Sequence, residues 1–258
     1  SHALEYYIAD FALSRFAEAL GKKKDAEMFY KRSLGYKHYY SKEFGTFRPI
    51  LPDGTFYSPF NPRQGENFEP NPGFHEGSAW NYSFYVPHDV YGLAKLMGGK
   101  NPFIKKLQMV FDEGLYDPAN EPDIAYAHLF SYFRGEEWRT QKETQRLLDK
   151  YFTTKPNGIP GNDDTGTMSA WAIFNMIGFY PDCPGLPEYT LTTPVFNKVT
   201  IRLDPKWYKE KELVIESNRT QPGTLYINKV LLNGKKFNQY RITHDELVHS
   251  QRILFDLK

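Results

Sequence analysis

The chain has 258 residues and a formal net charge of +1, an even balance that does not indicate nucleic acid or an anionic membrane surface as a partner. Its single cysteine, Cys183, excludes an internal disulfide framework and a cysteine-based zinc cluster. No apolar run approaches the roughly 20 residues that span a bilayer.

The chain up to residue 180 predicts helices. Apolar residues recur at helical spacing from Leu4 to Leu20, and the pattern stops at Gly21. Further helical patterns cover residues 25–40, 79–97, 103–115, 124–133, 138–152 and 168–177. Between Phe47 and Phe74, six prolines and several glycines interrupt any periodicity, which indicates a long ordered loop of the kind that is commonly functional.

After Pro181 the pattern changes to that of β-strands. Alternating or β-branched segments predict strands at residues 189–192, 199–203, 213–215, 225–227 and 230–232, and Asn233-Gly234 predicts a tight turn. Helices first and strands afterwards indicate separate layers rather than alternating βαβ units. We therefore predict a mainly α fold with a small antiparallel β module, divided into residues 1–180 and 181–258. Successive helical hairpins would fit a toroid of paired helices.

Two adjacent carboxylates, Asp163 and Asp164, lie in a loop between Gly161 and Gly166, directly before a predicted helix. Glycine allows backbone conformations that other residues rarely adopt, and Asp and Asn tolerate such turns. An acidic residue before a helix is often a simple cap. One cap needs one carboxylate, however, and this loop supplies two.

A second acidic loop places Glu76 beside Gly77, with Trp80 and Tyr82 in the helix that follows. A carboxyl in a partly apolar pocket has a raised pKa, as a general acid requires. The alternative is that Glu76 only satisfies the first amides of that helix. The sequence alone leaves both interpretations open.

The third acidic loop offers Asn120, Glu121 and Asp123 as hard oxygen ligands of the kind that calcium prefers, although the spacing is not that of an EF-hand. Asp10 and the pair His88-Asp89 are further polar groups that could face a cavity. We find no zinc-protease spacing, phosphate-binding glycine loop or serine-hydrolase elbow. Carboxylates on the loops of a helical scaffold remain, and glycoside hydrolysis uses such pairs. The 17% aromatic content also slightly favours sugar rings.

Several segments together resemble glycoside hydrolase family 92, in the order that the family has them. They are residues 4–10, 76–82, 86–89, 120–122, 161–166, 168–171, 178–181 and 184–185. This family comprises calcium-dependent, inverting exo-α-mannosidases, mostly bacterial. The resemblance covers nearly the whole chain and implies the later part of an (α/α)6 barrel, followed by the β module.

The resemblance also implies the roles of the site residues. Glu76 would protonate the leaving oxygen, Asp164 would activate water, and Asp163 or Asn162 would assist the base or orient the water. Asn120 and Glu121 would form the neighbourhood of a Ca²⁺ ion that binds two hydroxyls of the terminal mannose. The predicted contacts to the substrate, a mannose-containing glycan, are Trp80, His88, Asp89, Asn162 and Asp10.

Two departures from the family pattern limit what the resemblance implies. Many members follow Asn-Glu-Pro with Ser and a His-containing pair, whereas this chain has Asp123-Ile124-Ala125, so α-1,2 specificity is not implied. The N-terminal β-sandwich and the first barrel helices of the family are also absent. We therefore expect little mannosidase activity from these 258 residues alone.

The family implies export, to the periplasm, the cell surface or the medium of a bacterium. A non-catalytic carbohydrate-binding module is the alternative to an enzyme, because carboxylates can also simply hold sugar hydroxyls.

Overall fold

Helices dominate the chain up to residue 177 and strands dominate it afterwards, which confirms the predicted fold class. The computed structural model describes residues 1–65, 69–221 and 223–258. The α-helices are α1 His2–Ala19, α2 Lys23–Ser33, α3 Ala79–Tyr82, α4 Val90–Leu96, α5 Lys100–Asp112, α6 Glu137–Tyr151, α7 Thr167–Ile177 and α8 His244–Val248. The strands are β1 Tyr40–Ser41, β2 Thr46–Phe47, β3 Phe179–Tyr180, β4 Glu188–Leu191, β5 Lys198–Arg202, β6 Glu212–Arg219, β7 Ile227–Leu232, β8 Lys235–Phe237, β9 Arg241–Thr243 and β10 Arg252–Leu257.

Contacts divide the chain into two compact units. The first comprises residues 1–126 with 183–186, and the second comprises residues 127–182 with 187–258. The predicted boundary after residue 180 marks where helices give way to strands, and as a domain boundary it stays a prediction.

The first unit begins with the helical pair α1 and α2. Gly21, at φ +71°, follows α1 where the sequence predicts the helix end. The helix predicted over residues 25–40 is not continuous, because α2 ends at Ser33 and a 3₁₀ turn covers Leu34–Tyr39. Gly35 lies in this turn, where a Cβ would lie 2.6 Å from Cε1 of Tyr7. Only glycine lets the backbone approach that ring so closely.

The predicted helix over residues 79–97 is also interrupted. The structure has α3, a 3₁₀ turn at Pro87–Asp89, and then α4. Pro87 disfavours the helical conformation at the preceding residue, and Val86 accordingly has φ −139° and ψ 57°. The predicted loop over residues 47–74 begins with Phe47 at the end of β2 and contains an isolated bridge between Ile50 and Phe56. Residues 66–68 lie outside the described part.

The second unit contains a five-stranded sheet in the order β5-β6-β10-β7-β8 and a three-stranded sheet in the order β3-β4-β9. The pairs of this β module are antiparallel as predicted, apart from β10 and β6, which run parallel among the described strands. Along β10, Ile253, Phe255 and Leu257 alternate with more exposed residues and join the buried core of the sheet. The predicted turn at Asn233-Gly234 joins β7 to β8, with φ of +48° and +80°.

Candidate active site

Glu76 lies in the loop before α3 with a left-handed backbone, at φ +53°. Its carbonyl oxygen accepts a hydrogen bond of 2.6 Å from Nδ2 of Asn120, and its carboxyl lies 3.5 Å from Nε2 of His75. The Glu76 side chain is 56% exposed. The apolar pocket expected around it is therefore not formed by the described residues of this unit, and the Tyr82 hydroxyl instead donates to the His75 carbonyl.

Ser78, and not Glu76, caps α3. The Ser78 hydroxyl accepts a hydrogen bond from the Trp80 amide, and Oδ1 of Asn81 accepts one from the Ser78 amide in return. This reciprocal arrangement is a capping box. The interpretation of Glu76 as a simple helix cap is thus not what the structure shows, and its carboxyl is available for another role.

Asn120 and Glu121 lie beside this loop at the start of a 3₁₀ turn, Glu121–Asp123. Asn120 is buried and Glu121 is exposed. Asp123 is fully buried, and its Oδ2 accepts hydrogen bonds from the Asp117 amide at 2.6 Å and from Nδ2 of Asn81 at 2.9 Å. Burial raises the pKa of Asp123 well above its usual value.

The two carboxylates of the Gly161–Gly166 loop, in the second unit, differ in their hydrogen bonding. Both carboxylate oxygens of Asp163 accept hydrogen bonds from Ser169, one from the amide at 2.8 Å and one from the hydroxyl at 2.6 Å. These bonds hold the pKa of Asp163 below its usual value. Since Ser169 lies in the first turn of α7, Asp163 satisfies one of the free amides at the start of this helix, although Gly166 and not Asp163 occupies the N-cap position.

The carboxylate of Asp164 does not share these hydrogen bonds with Ser169. Its carbonyl oxygen accepts hydrogen bonds of 2.7 Å from the hydroxyls of Thr165 and Thr167, while the residue itself is exposed. The loop thus fixes the backbone of Asp164 and presents its side chain to solvent. Asn162 is exposed next to it.

The loop that carries Glu76 and the loop that carries Asp163 and Asp164 both have a strained backbone. Among the described non-glycine residues, positive φ occurs at Glu76, Asp163, Thr165 and Asn233. Asn233 belongs to the hairpin turn, so the other three lie in the two loops that carry the candidate carboxylates. Thr165 is β-branched, which makes its φ of +53° a marked outlier. Such strain clusters at functional sites because the surrounding structure must hold it in place.

Two other predicted substrate contacts of the first unit, Trp80 and Asp10, have cationic side chains nearby. Trp80 is partly exposed in α3, with Nζ of Lys106 6.0 Å from its ring centroid. Asp10 is buried and pairs with Arg32 at 3.2 Å. The roles of these residues in binding substrate stay predictions.

His88 and Asp89 bind elements of the same unit. Nε2 of His88 donates to the Ser33 carbonyl at 2.9 Å, and burial lowers the pKa of His88, which favours the neutral imidazole. The carboxylate of Asp89 caps α4 through the Gly92 amide and accepts a hydrogen bond from the Tyr36 hydroxyl. Their predicted contact with substrate is likewise untested.

The structure brings Glu76 and Asn120 into direct contact within the first unit, while Asn162, Asp163 and Asp164 belong to the second. Two residues of these networks were not singled out from the sequence, Asn81 and Ser169. A local sequence pattern could have identified both residues. Asn81 stands three residues after Ser78, which is the spacing of a capping box, and Ser169 lies in the first helical turn after the acidic loop.

The donor set at Asn120 and Glu121 matches a calcium ion in type, since both offer hard oxygens. Calcium takes about six to eight oxygen ligands. Within residues 1–65, 69–221 and 223–258, no group of three or more His, Cys, Asp or Glu side chains could hold a metal ion. Asn120 and Glu121 could thus supply only part of the coordination, with the remainder from substrate hydroxyls, water or other parts of a longer protein.

Sequence comparison decides the family. The model for the glycosyl hydrolase family 92 catalytic domain matches residues 1–258. The chain belongs to glycosyl hydrolase family 92. As a family 92 chain, it is 26% identical over 95% of its length to an uncharacterized secreted glycosidase of Arthroderma benhamiae, of which it covers 34%.

Solved family 92 structures share the fold. One is an α-mannosidase from Bacteroides thetaiotaomicron, in complex with mannoimidazole, at 29% identity and a TM-score of 0.90. Another is an inverting mannosidase from the same organism, at 31% identity and a TM-score of 0.87. Each match covers 99% of this chain, and 35% and 37% of the respective solved chain. This family 92 chain therefore spans about a third of the length of these relatives.

Proposed function

We propose that this chain carries the catalytic carboxylates of an exo-α-mannosidase that removes terminal α-linked mannose from glycans. The observation that carries the proposal is the family 92 match over all 258 residues, in which the motifs around Glu76 and Asp164 occupy strained loops. The similarity to an α-mannosidase and to an inverting mannosidase supports the substrate class and the stereochemistry.

The proposed reaction is a single displacement. The Glu76 carboxyl gives its proton to the glycosidic oxygen as the bond from that oxygen to C1 breaks. The Asp164 carboxylate takes a proton from a water molecule, whose oxygen bonds to C1 from the opposite face. Asp163, hydrogen-bonded to Ser169, keeps the loop in place and orients the water together with Asn162.

Calcium is part of the proposal, and Asn120 and Glu121 would contribute to holding it. When bound, the ion would orient two hydroxyls of the terminal mannose and help to distort its ring. The hydrogen bond from Asn120 to the Glu76 carbonyl supports this arrangement, because it couples the proposed metal neighbourhood to the proposed acid.

We further propose that the β-sandwich of the family completes the enzyme and that the protein is exported, as the name of the secreted glycosidase suggests for that relative. None of the helices in the described part of the chain is long and apolar enough to cross a membrane.

The test uses an enzyme of full family length that contains these residues. Proton NMR during hydrolysis of an aryl α-mannoside should show β-mannose first, and a chelator should abolish turnover until calcium is restored. Initial α-mannose would contradict the displacement, and activity that survives chelation would contradict the calcium requirement. Glu76→Gln should lose turnover and keep affinity, whereas lost affinity alone would favour the carbohydrate-binding module.

A further inference from the structure

Asp123 lies where the two acidic loops of the first unit meet, and the proposed chemistry gives it no role. It is fully buried in the 3₁₀ turn that begins with Glu121. Its Oδ2 accepts two hydrogen bonds, while its Oδ1 is buried with no hydrogen-bond partner among the described residues. Burying a carboxyl is unfavourable, so a specific structural benefit must offset the cost.

The first partner of Asp123 leads to the Glu76 loop. Nδ2 of Asn81 donates to Asp123 at 2.9 Å and also to the Leu115 carbonyl at 3.2 Å. Oδ1 of Asn81 accepts from the amide and the hydroxyl of Ser78, at 2.8 and 2.9 Å. All four hydrogen-bonding positions of the Asn81 amide are thus used, which fixes its orientation. Ser78 is two residues from Glu76.

The second partner leads to the Asn120 loop. The Asp117 amide donates to Asp123 at 2.6 Å and thereby folds the segment 117–123 back on itself. Within that segment, Nδ2 of Asn120 reaches the Glu76 carbonyl at 2.6 Å. The polypeptide chain and these hydrogen bonds together close a ring of residues. The ring runs from Glu76 through Ser78 and Asn81 to Asp123, and it returns to Glu76 through Asn120.

Gly77 shows how tightly this ring is packed. A Cβ at this position would lie 3.1 Å from Oδ1 of Asn81 and 3.3 Å from Nδ2 of Asn120. The ring therefore leaves little room for movement at the residue after Glu76. The φ of +53° at Glu76 is a conformation that other residues must hold in place.

We infer that Asp123 is a positioning residue that acts through Asn81 and Asn120 to fix Glu76 relative to the Asn120-Glu121 pair. This inference rests on the proposed role of Glu76 as the general acid. Asp123 itself touches no reacting atom. Its effect should therefore appear as lost acid catalysis, because a displaced acid transfers its proton poorly.

Two substrates with different leaving groups separate this role from a merely structural one. Dinitrophenyl α-mannoside needs little protonation to depart, whereas phenyl α-mannoside needs much more. In the full-length enzyme, Asp123→Leu removes the acceptor of Asn81 and Asp117. It should lower kcat/KM for the phenyl substrate about 10- to 100-fold more than for the dinitrophenyl substrate. Asp123→Asn keeps an acceptor oxygen and should restore the wild-type ratio.

Asp182 provides a matched control in the second unit. It too is buried, with Oδ2 accepting from Thr190 and Arg241 and with Oδ1 lacking a partner among the described residues. Asp182→Leu should lower the activity on both substrates by the same factor, through loss of folded protein. Should Asp123→Leu fail to fold, Asn81→Ala breaks the same ring and should change the ratio in the same direction.

The outcomes distinguish the two proposals. A changed ratio for Asp123→Leu or Asn81→Ala, with an unchanged ratio for Asp182→Leu, supports the positioning role. If the wild-type enzyme turns over both substrates and Asp123→Leu loses activity equally on both, the positioning role is overturned. The proposed function then still stands. A folded wild-type enzyme that cleaves neither substrate overturns the proposed function and this inference with it.

Discussion

At the scale of single residues, neighbouring carboxylates have different tasks because their hydrogen-bond partners differ. Asp163 accepts two hydrogen bonds from Ser169, whereas the Asp164 carbonyl oxygen accepts hydrogen bonds from Thr165 and Thr167. The hydrogen bonds from Ser169 hold the pKa of Asp163 below its usual value. The Asp163 carboxylate thus binds the start of α7, and the neighbouring Asp164 is exposed to solvent.

Ser169→Ala should raise the pKa of Asp163, because it removes one of the two hydrogen bonds to the ionised form. The folded pKa of Asp163 lies below its unfolded value, so its stabilising effect is present above the unfolded pKa and is lost as pH falls through the folded pKa. In the variant, the folded pKa lies closer to the unfolded one, so this loss should be smaller and should be complete at a higher pH. NMR titration of the Asp163 carboxyl measures the shift.

Thr55→Ala is the matched control, because Asp53 likewise accepts hydrogen bonds from the amide and the hydroxyl of Thr55, which lower its pKa. This variant should raise the pKa of Asp53 and leave Asp163 unchanged. An unshifted Asp163 in Ser169→Ala would show that the hydroxyl does not stabilise the carboxylate.

At the scale of elements, the strand β10 organises the β module. It lies between β6 and β7, parallel to the first and antiparallel to the second, and buries Phe255 in the core. The ring of Phe255 also packs beneath Gly178, at the end of α7, where a Cβ would lie 3.5 Å from it. The same side chain therefore supports the sheet and the end of the helix that follows the Asp164 loop.

Phe255→Ala should destabilise the protein by about 3 to 5 kcal/mol, because it leaves a cavity in a core from which water is excluded. Urea unfolding should show a lower midpoint. Phe196→Ala serves as the control, since Phe196 is 47% exposed and should change the free energy of unfolding by less than about 1 kcal/mol. Equal effects of the two substitutions would contradict the central place of β10.

The positions of most helices could be predicted because their apolar periodicity is local. The pattern over residues 138–152 corresponds to α6, and the turn at Asn233-Gly234 formed as its residue types require. The sequence analysis does not predict β10, although apolar and polar residues alternate along it. Its parallel pairing with β6 joins segments that are distant in sequence, and no local pattern indicates such a pairing. The break at Pro87 was missed although proline is a local signal, because apolar residues continue on both sides of it.

The site could be predicted in part for the same reason. Glycines and carboxylates identified the two loops that turn out to be strained, and glycine at both ends of the Asp164 loop does have positive φ. The hydrogen bond from Asn120 to the Glu76 carbonyl spans 44 positions, and no local pattern reveals it. The buried partners of Asp123 depend in the same way on tertiary contacts.

At the scale of the whole molecule, the proposed acid and the proposed base belong to different units. Glu76 belongs to the first and Asp164 to the second, and the chain spans about a third of the length of its family 92 relatives. A full-length enzyme is thus the proper setting for the proposed reaction. The division of roles between Glu76 and Asp164 is the central claim.

The most direct test compares Glu76→Gln with Asp164→Asn in the full-length enzyme on dinitrophenyl and phenyl α-mannosides. Loss of the acid should lower kcat/KM on the phenyl substrate about 10²- to 10⁴-fold and largely spare the dinitrophenyl substrate. Loss of the base should lower kcat/KM on both substrates by a similar large factor, because water must be activated whichever group leaves. A reversed pattern, or the same pattern in both variants, would contradict the assignment of Glu76 as acid and Asp164 as base.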